Sequence, residues 1–139
     1  MGGRYGMSFA AKAIQEGRYE DAVAEATKAW VRDEDNPEPL AERAEARAAQ
    51  GRFGDAVADY EQAIAIDREA GVLEMEIVDD SYFSALLAAA RAEPTVPAGV
   101  ARLQTYATTL PSGRHLKEAV DWMRRLRGEL ESDFVKNRD

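Results

Sequence analysis

Apolar residues recur along this chain at the three- and four-residue intervals of amphipathic helices. Tyr19, Ala22, Val23, Ala26, Ala29 and Trp30 form one stripe. Phe53, Ala56, Val57, Tyr60, Ala63 and Ile64 form another. Further on, the alanine-rich segment Ile77 to Ala92, with Leu86, Leu87, Ala88 and Ala89, predicts a helix that Pro94 and Pro97 end. Pro97 to Thr109 predicts the next, with Val100, Leu103, Ala107 and Leu110 on one side. After Pro111-Ser112, a stripe of Leu116, Ala119, Val120, Met123, Leu126 and Leu130 predicts a last helix to about Glu131.

The first two stripes belong to a repeat. Gly17-Arg18-Tyr19-Glu20-Asp21-Ala22-Val23-Ala24 returns as Gly51-Arg52-Phe53-Gly54-Asp55-Ala56-Val57-Ala58, an offset of 34 residues. Over Gly17–Trp30 against Gly51–Ile64, seven of fourteen positions are identical. Each unit reads as helix, tight turn, helix. Gly17 and Gly51 fall at the turns, where a left-handed backbone angle excludes most side chains. Ala10 and Ala44 put a small residue where two backbones approach. Asn36-Pro37 is a start signal, with Asn36 as cap and Pro37 in the first turn.

On these residues the chain resembles the tetratricopeptide repeat family. The resemblance rests on Gly17, Tyr19, Ala22 and Ala29, then on Arg43-Ala44, Gly51, Phe53, Ala56, Tyr60 and Ala63, and is specific over residues 5–70. It departs where the proline usual after the second helix is Glu34 or Arg68, and where the large aromatic usual in the first helix is Gly6 or Leu40. It implies an all-α fold: a right-handed array of about three helical hairpins, an α-solenoid, closed by a C-terminal capping helix. The expected units are 5–36, 37–70 and a diverged 77–110, with the cap at about 112–131, in a single domain over 1–139. That makes seven helices. Reaching the third unit takes about ten extra residues, Glu69 to Asp79, so a longer loop or an extended helix is expected there. The first six residues and the tail from Phe134 carry no helical pattern and are expected to fray. The resemblance also implies that the first helices line a concave groove, which holds a segment of a partner protein.

Composition narrows the function. The net charge of -8 argues against binding nucleic acid or an anionic membrane. Residues 1–95 carry ten basic and twenty acidic side chains, residues 96–139 eight and six, so an acidic body precedes a mildly basic end. There is no cysteine, hence no disulfide or thiolate metal site. No stretch approaches the roughly 18 apolar residues of a membrane span, and Met1 to Gly6 is no secretory leader. A cytoplasmic protein is the expectation. Fourteen Arg against four Lys, with abundant Ala, suggests a GC-rich bacterial genome.

Nothing in the chain reads as catalytic. His115 is the one histidine and falls near the start of the last helix, where a surface or capping role is expected. No nucleophile elbow, zinc-protease motif, phosphate loop or dinucleotide fingerprint occurs. Asp33-Glu34-Asp35-Asn36 lacks the alternation and glycine of a calcium loop and reads as a solvated connection. Asp79-Asp80 are adjacent, so they diverge on a helix and read as a cap or an acidic rim. Trp30 and Tyr60 read as core, Trp122 as half-exposed. The chain is therefore expected to be no enzyme and to need neither cofactor nor metal.

The helix from Pro37 to Gln50 carries the functional expectation. Glu38, Ala41, Glu42, Glu45 and Ala49 share one face, and Leu40, Arg43, Ala44 and Arg47 the opposite one. Its like charges are neighbours, Glu38–Glu42, Glu42–Glu45 and Arg43–Arg47, which costs an isolated helix a few tenths of a kcal/mol per pair. The resemblance turns the Glu face toward the groove. The matching face of the first helix holds Arg4, Met7, Ser8, Ala11, Ile14 and Gln15, and Tyr82, with Ala85, Leu86 and Ala89, is the candidate on the third unit. The expected ligand is a protein segment mixing Lys or Arg with apolar anchors. One subclass of the family clamps a C-terminal carboxylate with lysine and asparagine; the matching positions here, Met7, Ala11 and Glu42, cannot grip an anion. The rival expectation is self-assembly into homo-oligomers, with Arg124, Arg125 and Arg127 meeting the acidic body of another copy.

Overall fold

The structure, a computed structural model, describes residues 7–129. The expected frayed ends and the last residues of the expected cap lie largely outside that range. Seven helices occur among the described residues and no strand: α1 Phe9–Gln15, α2 Tyr19–Arg32, α3 Glu38–Ala49, α4 Phe53–Ala70, α5 Met75–Ala92, α6 Val96–Thr109 and α7 Leu116–Leu126. The chain divides into two compact units, Met1–Val78 and Asp79–Asp139, with the boundary inside α5.

In the first unit each helix packs on the next, and α1 also meets α3. The repeat in the sequence is a repeat in the backbone. Gly17 and Gly51 both turn left-handed, at φ +76° and +78°. Around them the same bonds close the same turn: Arg18 N–H donates to Ala13 O and Arg52 N–H to Arg47 O, each at 2.8 Å. The next identical pair has one job too. Arg18 reaches Asp21, and Arg52 reaches Asp55, each at 2.8 Å across the first turn of α2 or α4. Both pairs are exposed, so solvent screens them and they add little stability. Ala22 and Ala56 are fully buried, as are Ala26, Ala44 and Ala46. Alanine lets helix backbones approach closely, so this unit is built on many small contacts rather than on a few large side chains.

The caps follow the sequence. Ser8 Oγ accepts from Ala11 N–H at 2.9 Å and starts α1. Asn36 Oδ1 accepts from Glu38 N–H at 3.1 Å and starts α3, with Pro37 fully buried beside it. The acidic run before it folds into a tight turn, in which Asp33 Oδ1 accepts from Asp35 N–H. The ten extra residues expected before the third unit go mainly into helix. α4 runs to Ala70, Gly71 ends it in the left-handed region, and α5 begins at Met75. The buried Asp67 carboxylate holds that connection by accepting from Val72 N–H (2.7 Å) and Leu73 N–H (3.0 Å).

The second unit buries larger groups: Tyr82, Phe83, Leu86, Leu103 and Tyr106. α6 starts under the Thr95 cap, where Thr95 Oγ1 accepts from Ala98 N–H at 3.3 Å. Gly99 lets α6 lie against α5, since a Cβ there would fall 2.7 Å from Ala90 O. α7 packs on α6, but it starts at Leu116, later than expected. The N–H groups of Arg114 and His115 bond instead to Asp79 Oδ2 and to Tyr106 Oη, both at 2.9 Å, so these residues form a fastened loop and not a first helical turn.

Candidate partner-binding face

α1 and α3 bring the N-terminal part of the expected face together. Ser8 Oγ donates to Glu42 Oε2 at 2.7 Å. Glu38 and Glu45 flank Glu42 on α3 and are exposed, and Ala11 and Ala41 are half-buried. Met7 is 56% and Phe9 77% exposed, so two large apolar side chains stand in water beside the carboxylates. A recess of about 270 Å³ opens here, lined by Met7, Ser8, Phe9, Ala29 and Glu42, with Glu25 and Arg32 on its charged rim. Phe9 shows no pattern signal of its own, because it opens a helix of only seven residues.

The electrostatics of Glu42 follow from its place. Burial raises its pKa above the ordinary 4.5, and the Glu38 and Glu45 charges push the same way, while the Ser8 hydrogen bond opposes them. Among the described residues no cation makes an ion pair with Glu38, Glu42 or Glu45. The site holds three carboxylates on one face, none of them in an ion pair among the described residues, beside exposed apolar surface.

Of the other expected wall residues, Arg4 lies outside the described residues, and Ile14 is half-buried and packs against the core cluster of Ala13, Ala22 and Ala46. Tyr82 is 0% exposed, and its hydroxyl donates to Thr109 Oγ1 at 3.2 Å in the core of the second unit. A partner cannot touch Tyr82 without opening that core.

The arginine half of the α3 pattern has a structural origin. Arg43 and Arg47 both grip Asp59 of α4. Arg43 Nε and Nη2 reach its two oxygens at 2.9 and 2.8 Å, and Arg47 Nη1 reaches Oδ2 at 2.8 Å. All three side chains are largely buried, at 14%, 20% and 5% exposed. Arg43 also donates to Thr27 Oγ1 and lies 5.9 Å from the Trp30 ring centre. The like charge of Arg43 and Arg47 thus reflects a shared buried carboxylate sixteen and twelve residues away, not selection for a ligand. The glutamate half has no such partner. Tyr60 is buried, as its stripe predicts, while Trp30, expected in the core, is only half-buried.

His115 occupies the N-terminal boundary of α7, as expected, but with a different task. Its Nε2 lies 2.7 Å from Asp80 Oδ1 and its Nδ1 2.7 Å from Glu118 Oε1. A neutral imidazole has one N–H, so only the imidazolium can donate to both carboxylates. The ring stacks flat on Phe83, with centres 4.6 Å apart. Burial lowers its pKa, the hydrogen bonds to Asp80 and Glu118 raise it, and the net shift is upward from 6.5. Beside it, Tyr106 donates to the buried Asp79, and burial followed by this bond pushes the phenol pKa upward. Asp79 and Asp80 neither cap α5 nor form a rim; together they fasten the loop between α6 and α7. Trp122 is half-buried, with the guanidinium groups of Arg91 and Arg125 at 4.9 and 4.6 Å from its ring centre.

Among the described residues no group of three or more His, Asp or Glu is placed to hold a metal ion, and no helix is long and apolar enough to cross a membrane. No protein-family model and no curated protein matches the chain.

Proposed function

We propose that this chain is a tetratricopeptide-like array of helical hairpins that acts by binding, not by catalysis. Its ligand is a segment of a partner protein that mixes Lys or Arg with apolar anchors. The segment seats on the face formed by Met7, Ser8, Phe9 and Ala11 of the α1 region with Glu38, Ala41, Glu42 and Glu45 of α3. One observation carries this reading: three carboxylates without a cationic partner among the described residues stand beside two exposed apolar side chains and a recess. A cation placed there relieves the mutual repulsion of the three charges, and apolar anchors cover Met7 and Phe9. Charge then speeds and orients docking, and the apolar contacts supply most of the affinity.

The test is binding of an amphipathic Lys/Leu peptide, measured by calorimetry at low and high salt. The Glu38→Gln/Glu42→Gln/Glu45→Gln variant is expected to lose about tenfold or more in affinity and most of the salt dependence. Equal affinity and equal salt slope in the two proteins would move the binding surface elsewhere.

A further inference from the structure

We propose that the stack of Arg91, Trp122 and Arg125 on one copy of the chain docks on the Glu38–Glu42–Glu45 face of a second copy, so that copies associate head to tail. The inference rests on the binding reading above and names its ligand.

The stack has the composition that face calls for. Trp122 is an apolar anchor that is half-buried, and Arg91 and Arg125 beside it are exposed. Their guanidinium carbons lie 4.9 and 4.6 Å from the ring centre. A guanidinium held against an aromatic face stays ordered and keeps donors for a carboxylate. Three other exposed arginines are engaged by acids, Arg18 by Glu16 and Asp21, Arg52 by Asp55 and Arg114 by Asp80, while Arg32 and Arg127, also exposed, make no ion pair among the described residues. Arg91 and Arg125 make no ion pair among the described residues. Two cations therefore lie against one indole without an ion pair, and three carboxylates on α3 also make none among the described residues.

Charge and anchors match in both directions. Residues 1–95 carry twenty acidic against ten basic side chains, while residues 96–139 carry eight basic against six acidic. On the acceptor, Met7 and Phe9 offer apolar surface to Trp122. Tryptophan and arginine are the residue types that most often dominate such contacts. The two surfaces are different patches of one molecule, one in each compact unit. Docking by one copy leaves its own acidic face open to a third, so the association is heterologous and grows as an open chain or closes as a ring.

Sedimentation of the full chain against concentration, at low and high salt, tests this with two variants. One is Glu38→Gln/Glu42→Gln/Glu45→Gln and the other Arg91→Gln/Arg125→Gln, each checked for unchanged helical circular dichroism. Wild type is expected to grow in mass with concentration, past the dimer, and to dissociate in salt. Each variant alone is expected to associate about tenfold or more weakly. An equimolar mixture retains one good interface and is expected to stop at the heterodimer. A wild type that stays monomeric at low salt overturns the proposal; if the Lys/Leu peptide still binds it and fails to bind the glutamine variant, the binding face survives and only the choice of a second copy falls. Undiminished association of either variant, or a mixture that stays monomeric where wild type associates, also overturns it.

Discussion

Ser8 and Glu42 stand one repeat apart, 34 residues, and are joined by a 2.7 Å hydrogen bond from the serine hydroxyl to the carboxylate. The same oxygen of Ser8 caps α1 by accepting from Ala11 N–H. One hydroxyl thus starts a helix and ties it to the next hairpin. Ser8→Ala is expected to cost about 1 kcal/mol of stability, the usual loss of an N-cap. It also removes the hydrogen bond that lowers the Glu42 pKa, so that pKa should climb further above 4.5. Carbon-13 titration of the Glu42 carboxyl reads this directly, and an unchanged or lower pKa would contradict the assignment.

On the proposed function, the same raised pKa makes ligand binding pH-dependent. The folded protein holds the Glu42 proton more tightly than the unfolded chain, so the stability it contributes is present below pH 4.5 and is lost as pH rises through the higher folded value. A cationic ligand favours the ionised form and expels the proton. Affinity for a Lys/Leu peptide should therefore fall as pH is lowered through that value, and Glu42→Gln should flatten the fall. Proton release on binding, measured in buffers of different ionisation heat, is the check.

Asp59 neutralises one of the two arginine charges it holds, in a largely buried site. Asp59→Ala leaves two guanidinium groups buried together without a counter-ion. Breaking such a cluster costs about 3–5 kcal/mol, a large share of the roughly 5–15 kcal/mol that holds a domain folded. Denaturant melts should show the loss. Replacing all three residues with apolar side chains of similar volume should cost much less, because no charge is then stranded.

His115 links α7 to Asp80 of α5 through its protonated ring. Its folded pKa is raised, so its contribution is fully present below the ordinary 6.5 and is lost as pH rises through the folded value. The melting temperature should decline over that window in wild type and stay flatter in His115→Gln. The acidic partners are about half exposed, so solvent screening keeps the effect to about 1 kcal/mol. Equal slopes in the two proteins would remove the ring from the linkage.

Two glycines should respond to alanine for different reasons. At Gly113 a Cβ would fall 2.2 Å from Tyr106 Oη, and Tyr106 is fully buried between Asp79 and His115. Overpacking there should cost about 1–3 kcal/mol and loosen the loop. At Gly17 nothing lies within 4 Å, and the cost is the left-handed backbone alone, about 1–2 kcal/mol. Amide exchange separates them: Gly113→Ala should release the N–H groups of Arg114 and His115, and Gly17→Ala should not.

What was legible in the sequence was local. The offset of 34, the turn glycines, the Asn36 cap and the small-residue helix contacts all depend on neighbours a few positions away, and the backbone repeats them. What was illegible depends on pairing at a distance. Asp59 looks like one more surface acid on a helix, and nothing in its neighbourhood says that Arg43 and Arg47 converge on it. Tyr82 fits the stripe of a wall and the stripe of a core equally well; its partner Thr109 lies 27 residues on. Asp79 and Asp80 point apart on α5, yet a loop more than thirty residues later meets both. The carboxylates of α3 were legible as a face because a helix places them together by its own geometry. The exposure of Phe9 was not, since a helix of seven residues is too short for its periodicity to be read.

The buried ions between α3 and α4 have a thermal consequence. Charged groups lose hydration free energy as temperature rises, so the penalty for keeping Arg43, Arg47 and Asp59 out of water shrinks on heating, while apolar burial levels off. The seam they close gains relative strength when the rest weakens. α1 has only seven residues, two buried alanines and one exposed hydrogen bond to α3. Heat should therefore peel the first unit from its beginning, undoing the Ser8–Glu42 contact while α3 and α4 are still clasped.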